Sequence, residues 1–354
     1  MKTLKPVENI GSNLKVILRL DTDLPIDKGL ILDNSRLKKS IPTIRLILER
    51  NNKIVIIGHR GRPTDSEAVL AGKPDRYDEN LSLKPVYLEL MNLLEMNGEN
   101  IIESVFVEDI KNEEKIKIAL ENNQIIFIEN IRFWKEEDEG DVNIFNILKK
   151  YCSVLVNDAI AVAHRENASI ILHREMETFY GFNFIEEIEG LEKIFKSEKP
   201  MTIVLGGAKE DKLKYLKELE KIADNILVGG KLPKLMSSDQ LNEGNEKVLI
   251  AKLREDGLDL SENDINDFIE IINRSKTIIW SGAMGFYEDE KNRVGTEKIA
   301  SVIAKSEASY KVIAGGDTLA SIKFLGLKDK IDFVCSGGGV LLEFLTKRSL
   351  PAWN

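Results

Sequence analysis

Short runs of continuous apolar residues, rich in valine and isoleucine, recur along the whole chain and predict its strands. Continuous rather than alternating hydrophobicity is typical of strands that are covered on both faces, as in a parallel sheet. Half of the runs fall in each half of the chain, so the pattern predicts two buried sheets. The runs are 15–20, 53–58, 104–107, 124–129, 153–157, 201–205, 225–228, 277–280, 310–314 and 332–335.

Between these runs the apolar residues are spaced by three and four positions, which predicts amphipathic helices. Alternating strands and helices form βαβ units, so we predict an α/β fold with two doubly wound parallel-sheet domains. An amphipathic segment at 183–196, followed by Pro200, predicts a hinge helix between them. The predicted domains are 1–182 and 200–354, with the interdomain helix at 183–199. The other predicted helices are 41–49, 84–96, 113–122, 145–151, 212–223, 264–272, 296–305 and 318–324.

The charge of the chain limits the partners that we expect. Its 354 residues carry a formal net charge of −9, so no broad positive field exists to attract nucleic acid or a membrane surface. No apolar stretch has the length of a signal peptide or a membrane-spanning helix, and we expect a cytoplasmic protein. Cys152 and Cys335 lie far apart in apolar runs, which favours core positions over a disulfide or a metal site.

In an open parallel sheet, ligands bind beyond the carboxyl ends of the strands, where loops lead into helices. Four strand ends of the first half carry cationic side chains there, and the arginine fork matches the oxygens of carboxylate and phosphate. Asp21, Asp23 and Asp158 supply part of the charge balance. The sequence therefore predicts a site for a small anion at this edge. The cationic residues are Arg36, His59, Arg60, Arg62, Arg132, His164 and Arg165.

Each of these residues also has a structural interpretation. A single surface arginine is usually solvated or held in a weak salt bridge. Asp21 has Arg19 or Arg36 as an alternative partner, and Asp158 has a helix cap as an alternative role. His173 lies in an apolar-flanked stretch without a partner motif, and we interpret it as structural. The coincidence of cations at four strand ends favours the anion site.

Glycine clusters follow the strands of the second half and predict a phosphate-binding edge. Glycine lets backbone N–H groups approach a phosphate, and a following helix adds the positive end of its dipole. Lys209 has the position of a phosphate-contacting lysine. Asp317 is a candidate Mg²⁺ ligand, with a helix N-cap as the alternative, and Glu288 either binds a ribose or only begins a helix. The clusters are 206–207, 229–230, 282–285, 315–316 and 337–339.

In order and spacing, these motifs resemble those of the phosphoglycerate kinase family over nearly the whole chain. The matching segments of the first half are 19–25 (R-x-D-F-N-x-P in the family), 58–63 (S-H-L-G-R-P), 129–133 (E-N-x-R-F) and 156–169 (V-N-D-A-F-G-x-A-H-R-x-H-A-S). Those of the second half are 206–209 (G-G-A-K), 280–285 (W-x-G-x-M-G), 315–318 (G-G-D-T) and 337–339 (G-G-G).

The resemblance implies a bilobed hinge enzyme of glycolysis, which transfers the acyl phosphate of 1,3-bisphosphoglycerate to MgADP and gives 3-phosphoglycerate and ATP. It implies lobe closure around the travelling phosphoryl group, with Arg36 and Lys209 as catalytic residues, and a monomer. It places the metal, Mg²⁺, at Asp317. By motif, the acid is bound by Asp21, Asp23, Arg36, His59, Arg60, Arg62, Arg132 and Arg165. The nucleotide is bound by Gly207, Lys209, Lys212, Gly230, Glu288, Gly315, Gly316, Asp317, Thr318 and Gly338.

The first half departs from the family pattern at three places. Asp23 replaces an asparagine, and its charge is expected to repel the substrate carboxylate unless it is protonated or paired with Arg60 or a neighbour. Asn167 replaces a histidine, and Ile160 and Ala161 replace phenylalanine and glycine.

The second half departs further. One residue is missing between Lys209 and Lys212, which on a helix rotates the second lysine by about 100°. The segment 229–233 replaces a glycine-rich one, and its Pro233 fits only the first turn of a helix. Ser281 and Ala283 replace asparagine and proline. The stretch between residues 230 and 280 is short, with 248–250 as the candidate remnant of a family strand.

Two alternatives to the kinase therefore stay open at this point. One is a non-catalytic relative that binds a phosphorylated acid as a sensor or interaction module. The other is a kinase with a different nucleotide or acid specificity.

Overall fold

The structure, a computed structural model, describes residues 4–65, 73–74, 76–96, 102–237 and 246–354. The described chain forms two compact units. One extends to Glu186 and also contains Ser349–Asn354, and the other is Glu187–Arg348. Among the described residues, no helix combines the length and the apolar character needed to cross a membrane.

The first unit is built on a parallel six-stranded sheet. Its strands are β1 (Lys15–Arg19), β4 (Lys53–Ile57), β5 (Ser104–Val107), β6 (Ile125–Ile128), β7 (Val154–Asn157) and β8 (Glu177–Tyr180), and a small hairpin adds β2 (Ile26–Asp27) and β3 (Leu30–Ile31). Its helices are α1 (Ser35–Glu49), α2 (Lys84–Met96), α3 (Glu113–Asn122), α4 (Lys135–Glu139), α5 (Asn146–Tyr151) and α6 (Ala168–Ile171). The helix α7 (Phe182–Ile194) begins in this unit and ends in the second.

The strands of the first sheet are ordered β5-β6-β4-β1-β7-β8. Along β1, Val16 and Leu18 enter one core, which α1 and α2 cover, whereas Ile17 enters a second core with α3 and α5. Both faces of the sheet are therefore buried, because successive side chains of a strand alternate between its faces. This explains the continuous hydrophobic runs.

The second unit contains a second parallel six-stranded sheet, ordered β11-β10-β9-β12-β13-β14. Its strands are β9 (Met201–Leu205), β10 (Asn225–Val228), β11 (Val248–Ile250), β12 (Thr277–Ser281), β13 (Tyr310–Ala314) and β14 (Phe333–Cys335). Its helices are α8 (Leu216–Leu219), α9 (Leu232–Leu235), α10 (Glu262–Arg274), α11 (Val294–Lys305), α12 (Gly316–Phe324) and α13 (Gly338–Lys347).

The structure confirms the predicted α/β fold and the ten predicted strands, and α7 forms where the hinge helix was predicted. The candidate remnant strand is β11, which pairs in parallel with β10 at the sheet edge. The strand β8, the β2–β3 hairpin and the helices α4, α6, α9 and α13 were not predicted, and α1 begins six residues before the predicted helix.

The predicted helix at 212–223 is wrong. A 3₁₀ helix, Glu210–Tyr215, is followed by the single turn α8 instead. In a 3₁₀ helix the residues i and i+3 lie on one face. Lys212 and Tyr215 are such a pair, and both are anchored, since the Tyr215 hydroxyl donates to Glu343 Oε2 at 2.8 Å and the Lys212 ammonium bonds to strand ends. These tertiary contacts favour the tighter turn over a regular α-helix.

The last six residues lie in the first unit, whereas the sequence analysis assigned 200–354 to one domain. The Tyr180 hydroxyl donates to Ala352 O at 3.0 Å, and His173 Nε2 lies 2.9 Å from Pro351 O. Trp353 is 3 % exposed and packs edge-on against Phe184. Burial of this side chain ties the C-terminus to the first unit. The domain limits drawn from the sequence stay a prediction.

Replacing Trp353 by alanine should lower the free energy of unfolding of the first unit by about 3–5 kcal/mol, because it leaves a large cavity among buried aromatic rings. Urea unfolding of the intact chain measures the effect. Leu88→Ala, a truncation of an exposed side chain on α2, serves as the control and should stay within about 0.5 kcal/mol of the parent. Equal losses in the two variants would contradict the anchoring of the tail.

Candidate active site

The candidate acid site lies at the carboxyl end of the first sheet. The order of the strands reverses between β1 and β7, so the loops after these two strands diverge and leave a crevice beyond the sheet. The loops after β4 and β6 lie along the same edge. All four cation-bearing strand ends predicted from the sequence thus meet at one edge.

Two aspartates after β1 bond to neighbouring segments, one to the first turn of α1 and the other to the loop after β4. Asp21 is buried, and Arg36 Nη1 donates to its Oδ1 at 3.1 Å and to the backbone oxygen of Asp23 at 3.1 Å. The alternative pairing of Asp21 with Arg36 is therefore confirmed. Asp23 Oδ1 accepts from the backbone N–H of Gly61 at 2.9 Å. The carboxylate that replaces an asparagine thus ties the β1 loop to the β4 loop through a backbone donor.

His59, directly after β4, is surrounded by arginines. Its side chain is 2 % exposed, and its Nδ1 lies 2.9 Å from Arg19 Nη2. Burial holds the pKa of His59 well below its ordinary value, and the charges of Arg19, Arg132, Arg165 and Arg36 lower it further. The ring is therefore neutral. Because arginine only donates, Nδ1 is the acceptor and Nε2 carries the proton.

Arg132 is 4 % exposed after β6. Its Nη1 donates to Gly61 O at 2.7 Å, and its Nε forms an ion pair of 3.5 Å with Asp138 Oδ1. Burial and the neighbouring charge of Arg165 lower the pKa of Arg132 to about 10. The charge of Arg165 therefore acts on Arg132, and an anion bound here would relieve this repulsion.

The loop of Arg60 is held by a buried asparagine. Asn130 Oδ1 accepts from the backbone N–H groups of Arg60 and Arg132, both at 3.2 Å, and its Nδ2 donates to Arg60 O at 2.8 Å. Burial lowers the pKa of Arg60, and the charge of Asp23 opposes that effect. Arg62 is exposed on the same loop. Of the predicted acid-site residues, Arg62 is thus the one most open to solvent.

Behind these cationic side chains lies a buried hydrogen-bond network that was not predicted from the sequence. Arg19 is 1 % exposed and donates from Nε to Ser169 Oγ at 2.9 Å. Ser169 Oγ donates to Glu137 Oε1 at 2.6 Å, and Ser169 N donates to Glu137 Oε2 at 2.8 Å. Asn167, which replaces a histidine, donates to Glu137 O at 3.1 Å and to Asp138 Oδ1 at 3.0 Å. Glu137 stands in the acidic run 136–139, which by itself is typical of a solvated helix face.

The structural interpretations of four other residues are confirmed. His173 contacts the C-terminal tail through Pro351 O. Asp158 Oδ1 accepts from Phe184 N at 3.0 Å in the first turn of α7, so it caps that helix. Cys152 and Cys335 are buried, and burial raises the pKa of Cys152 to about 12.

The candidate nucleotide site lies at the carboxyl end of the second sheet, where the strand order reverses between β9 and β12. Lys212 Nζ occupies this switch point. It donates to Gly206 O at 2.8 Å, Ser281 O at 2.9 Å and Ser281 Oγ at 3.3 Å. Burial and the neighbouring Lys209 lower the pKa of Lys212 to about 8. Its ammonium is thus placed by the last carbonyls of the two central strands.

Lys209 is exposed and extended, with φ −95° and ψ 113°, and it precedes the 3₁₀ helix. The two lysines therefore do not share a helix, and the rotation of about 100° expected for a helical segment does not apply. Pro233 lies in the first turn of α9, as its missing N–H requires.

Two glycines at this edge have positive φ angles, and the absence of a side chain at Gly230 also permits a close backbone approach. Gly230 has φ +62°, and a Cβ there would lie 2.5 Å from Gly207 N. Gly315 has φ +94°, and a Cβ there would lie 3.7 Å from Gly338 N, the first residue of α13. The N-termini of α12 and α13 are thus neighbours. Neither helix has a side-chain cap, so their first N–H groups remain available to a phosphate.

Asp317 is exposed in the first turn of α12 and does not cap it, so the N-cap alternative is wrong. Thr318 Oγ1 instead accepts from Gly282 N at 2.7 Å. Among the described residues, no three His, Cys, Asp or Glu side chains gather as a metal site. One exposed carboxylate beside free helix N–H groups fits Mg²⁺, which keeps waters and takes its remaining ligands from substrate phosphates.

Two cavities adjoin these regions. Glu288 lines one of about 310 Å³ in the second unit, together with Tyr287, Arg293 and Phe324. The larger one, about 840 Å³, lies between the β2–β3 hairpin and α2. Its lining carries four glutamates and one lysine, so the larger volume does not mark the anion site. These residues are Glu79, Glu89, Glu108, Glu129 and Lys84.

The chain matches the phosphoglycerate kinase family model over residues 8–248 and 234–348. It is 32 % identical to the phosphoglycerate kinase of Finegoldia magna over 399 aligned positions, which cover 99 % of this chain and 97 % of that protein. It is 30 % identical to that of Clostridioides difficile, with 99 % and 96 % covered. The alignment with the first relative is longer than this chain, and the family match breaks within the stretch that the sequence analysis found short.

Solved structures show the same relationship. The phosphoglycerate kinase of Coxiella burnetii superimposes with a TM-score of 0.75 at 26 % identity, covering 99 % of this chain and 98 % of that one. The enzyme of Pyrococcus horikoshii gives 0.78 at 26 % identity, covering 99 % and 97 %. The fold that the motifs imply is therefore confirmed over the whole chain.

The buried Lys212 predicts a pH dependence of stability. Its pKa is about 8 in the folded protein against an ordinary value of 10.5, so between these pH values the unfolded chain binds more protons. This group therefore raises the free energy of unfolding as the pH rises through that window, by at most about 1.4 kcal/mol per pH unit. Urea unfolding at pH 7.5–10.5 should show this rise in the parent and lose it in Lys212→Met. The exposed Lys214→Met should keep it, and parallel profiles for parent and Lys212→Met would contradict the assignment.

Proposed function

The chain belongs to the phosphoglycerate kinase family, and from this we propose that its two strand-end sites divide the substrates of the reaction between them. It is a phosphoglycerate kinase, which transfers the acyl phosphate of 1,3-bisphosphoglycerate to ADP and gives 3-phosphoglycerate and ATP. The first unit takes the acid, and the second takes the nucleotide. The observation that carries this proposal is the buried His59, 2.9 Å from Arg19, at the edge where the cation-bearing strand ends meet.

In the acid site, Arg36, Arg60, Arg62, Arg132 and Arg165 supply the charge that a phosphorylated carboxylic acid needs. Asp21 and Asp23 orient this set, since one accepts from Arg36 and the other from the Gly61 backbone. Because Asp23 is engaged by Gly61, its replacement of an asparagine is compatible with an anionic ligand. His59 adds a neutral donor at Nε2.

In the nucleotide site, the backbone N–H groups of Gly316 and Gly338 at the helix N-termini take the phosphates. Gly207, Gly230 and Gly315 line the site, and their own N–H groups donate to the carbonyls of Ala283, Met284 and Cys335. The ammonium of Lys212 lies at the switch point of the sheet, where phosphate oxygens would approach it, and Thr318 is held by Gly282. Glu288 takes the ribose. Asp317 would hold Mg²⁺, which when bound neutralises phosphate charge.

The chemical step is a displacement at phosphorus. An oxygen of the ADP β-phosphate attacks the acyl phosphate, a new P–O bond forms, and the carboxylate of 3-phosphoglycerate leaves with the electron pair of the broken bond. No proton is transferred in this step. Arg36 and Lys209 neutralise the charge on the transferred group, which is the main requirement of phosphoryl transfer.

Calorimetry on the intact chain tests the division of substrates. The parent should bind 3-phosphoglycerate and, separately, MgADP, and a coupled assay should show turnover. Binding of the acid without binding of either MgADP or MgATP would instead support a sensor. Turnover only with another nucleotide or acid would support a kinase of altered specificity.

A cytoplasmic location and a monomeric state belong to the same proposal and follow from the resemblance to the family. Sedimentation of the purified chain measures the oligomeric state.

Replacing Lys209 by alanine should lower kcat by roughly 100-fold or more, because the transferred phosphoryl group loses a cation that it needs in the transition state. The Kd for 3-phosphoglycerate should not change. Lys214→Ala, which removes another exposed lysine five chain positions after Lys209, is the matched control and should keep the parental kcat. Unaltered turnover in Lys209→Ala would refute the catalytic role of this lysine.

A further inference from the structure

Glu137 is a buried carboxylate to which the proposed reaction gives no direct task. It lies in the short acidic helix α4 and is 1 % exposed. Both of its oxygens are engaged by Ser169, Oε2 by the backbone N–H at 2.8 Å and Oε1 by the hydroxyl at 2.6 Å. Burial raises the pKa of Glu137, whereas Arg19 and Ser169 favour its charged form.

From Glu137 a directed chain of hydrogen bonds reaches the acid site. The Ser169 hydroxyl donates to Glu137, so its oxygen is free to accept from Arg19 Nε at 2.9 Å. Arg19 Nη2 in turn lies 2.9 Å from His59 Nδ1. Arginine has no acceptor and a carboxylate has no proton to give, so every bond of the chain has a single direction. The His59 proton is thereby confined to Nε2.

We propose that Glu137 is a positioning residue for acid recognition, which acts through Ser169 and Arg19 to hold His59 with its proton on Nε2. This inference rests on the proposed role of His59 in the acid site. In this proposal, the hydrogen bonds from Glu137 through Ser169 and Arg19 hold the neutral ring of His59. Its Nε2–H is thereby presented as a neutral donor among the arginines of the acid site.

The charge of Glu137 is essential to this task. Arg19 is fully buried, and burial lowers its pKa. Among the neighbouring carboxylates, Glu137 has the largest opposing effect, which raises that pKa. Asp21 and Asp23 also act on Arg19, but more weakly, so loss of the Glu137 charge would leave the guanidinium only partly compensated and let it turn toward other acceptors. The rim arginines Arg132 and Arg165 cannot compensate it, because they carry the same charge.

The first unit contains a second buried carboxylate that is bound by a serine, and it serves as the comparison for a purely structural role of Glu137. Glu129 is 3 % exposed, and it accepts from the Ser82 hydroxyl at 2.6 Å and from Leu83 N at 2.7 Å. These two contacts resemble those of Glu137. Glu129 Oε1 also accepts from Asn130 N at 2.7 Å, a bond that the amide oxygen of glutamine retains. The Ser82 hydroxyl, however, accepts from the backbone N–H of Lys84 at 3.2 Å rather than from an arginine side chain. Glu129→Gln is therefore a control for loss of a buried, serine-bound carboxylate.

The experiment uses the ring nitrogens of histidine as the readout. The chain has only three histidines, so two-bond ¹H–¹⁵N spectra of the labelled protein resolve each tautomer, and the spectrum of His59→Gln identifies the His59 signals. The variants are Glu137→Gln, Ser169→Ala and Glu129→Gln. Calorimetry with 3-phosphoglycerate and with MgADP accompanies the spectra.

The parent should show His59 protonated at Nε2 alone. Glu137→Gln and Ser169→Ala should each give a mixture of tautomers and weaken 3-phosphoglycerate binding roughly tenfold, with MgADP binding unchanged. The double variant should lose no more than either single one, since both break the same chain. Glu129→Gln should lower the unfolding midpoint and leave the His59 spectrum and both affinities as in the parent.

Retention of the Nε2-protonated ring and of acid affinity in Ser169→Ala would overturn the proposal, even if Glu137→Gln does not fold. An equal change in Glu129→Gln would also overturn it and show a general effect of destabilisation. Failure of the parent to bind 3-phosphoglycerate would refute the proposed acid site instead, and the His59 spectra would still decide whether Glu137 positions the ring.

Discussion

Parallel pairing of the strands is the constraint on which both sites depend. It places the carboxyl ends of all strands of a sheet at one edge, so side chains far apart in the chain become neighbours. Arg19 and Ser169, 150 positions apart, bond to each other because β1 and β7 are adjacent. Lys212 reaches Ser281, 69 positions away, because β9 and β12 are adjacent. Without this pairing, neither the cationic side chains of the first sheet nor the glycines of the second would gather at one edge.

The second constraint is the balance of buried charge in the first unit. Arginines that converge without counter-charges repel one another and lose hydration. The structure arranges carboxylates behind them, with Asp21 on Arg36, Asp138 on Arg132, and Glu137 linked to Arg19 through Ser169. These carboxylates lie on different elements from the arginines that they serve. The side of this arginine cluster that faces the ligand stays positive, which suits an anion. On the other side, the carboxylates hold the arginine side chains in place.

The departures from the family pattern have local physical explanations. Asp23 accepts a backbone N–H from Gly61, which an asparagine side-chain oxygen could equally accept, and so the loop between β1 and α1 keeps its tie to β4. Asn167 gives its amide protons to Glu137 and Asp138. In the second unit, the segment with one residue fewer is a 3₁₀ turn, which still brings Lys212 to the carbonyl ends of β9 and β12. The shorter chain thus retains the strand-end geometry by tightening a turn.

The sequence by itself determined the two parallel sheets, because strands buried on both faces must be continuously apolar, and it placed the cations and glycines at their ends. It also separated His173 from the site on the basis of its surroundings, and it left Asp158 with two open roles, charge balance and a helix cap. Only the tertiary structure decided the turn at 210–215, the return of Trp353 to the first unit, and the partners of Arg19 and Glu137. The physical reason is the same in each case. Periodicity records which faces are buried, whereas the partner of a buried polar group is set by elements that meet only in the folded chain. The acidic run 136–139 is therefore typical of a solvated surface by its sequence, although packing buries one of its carboxylates against a serine.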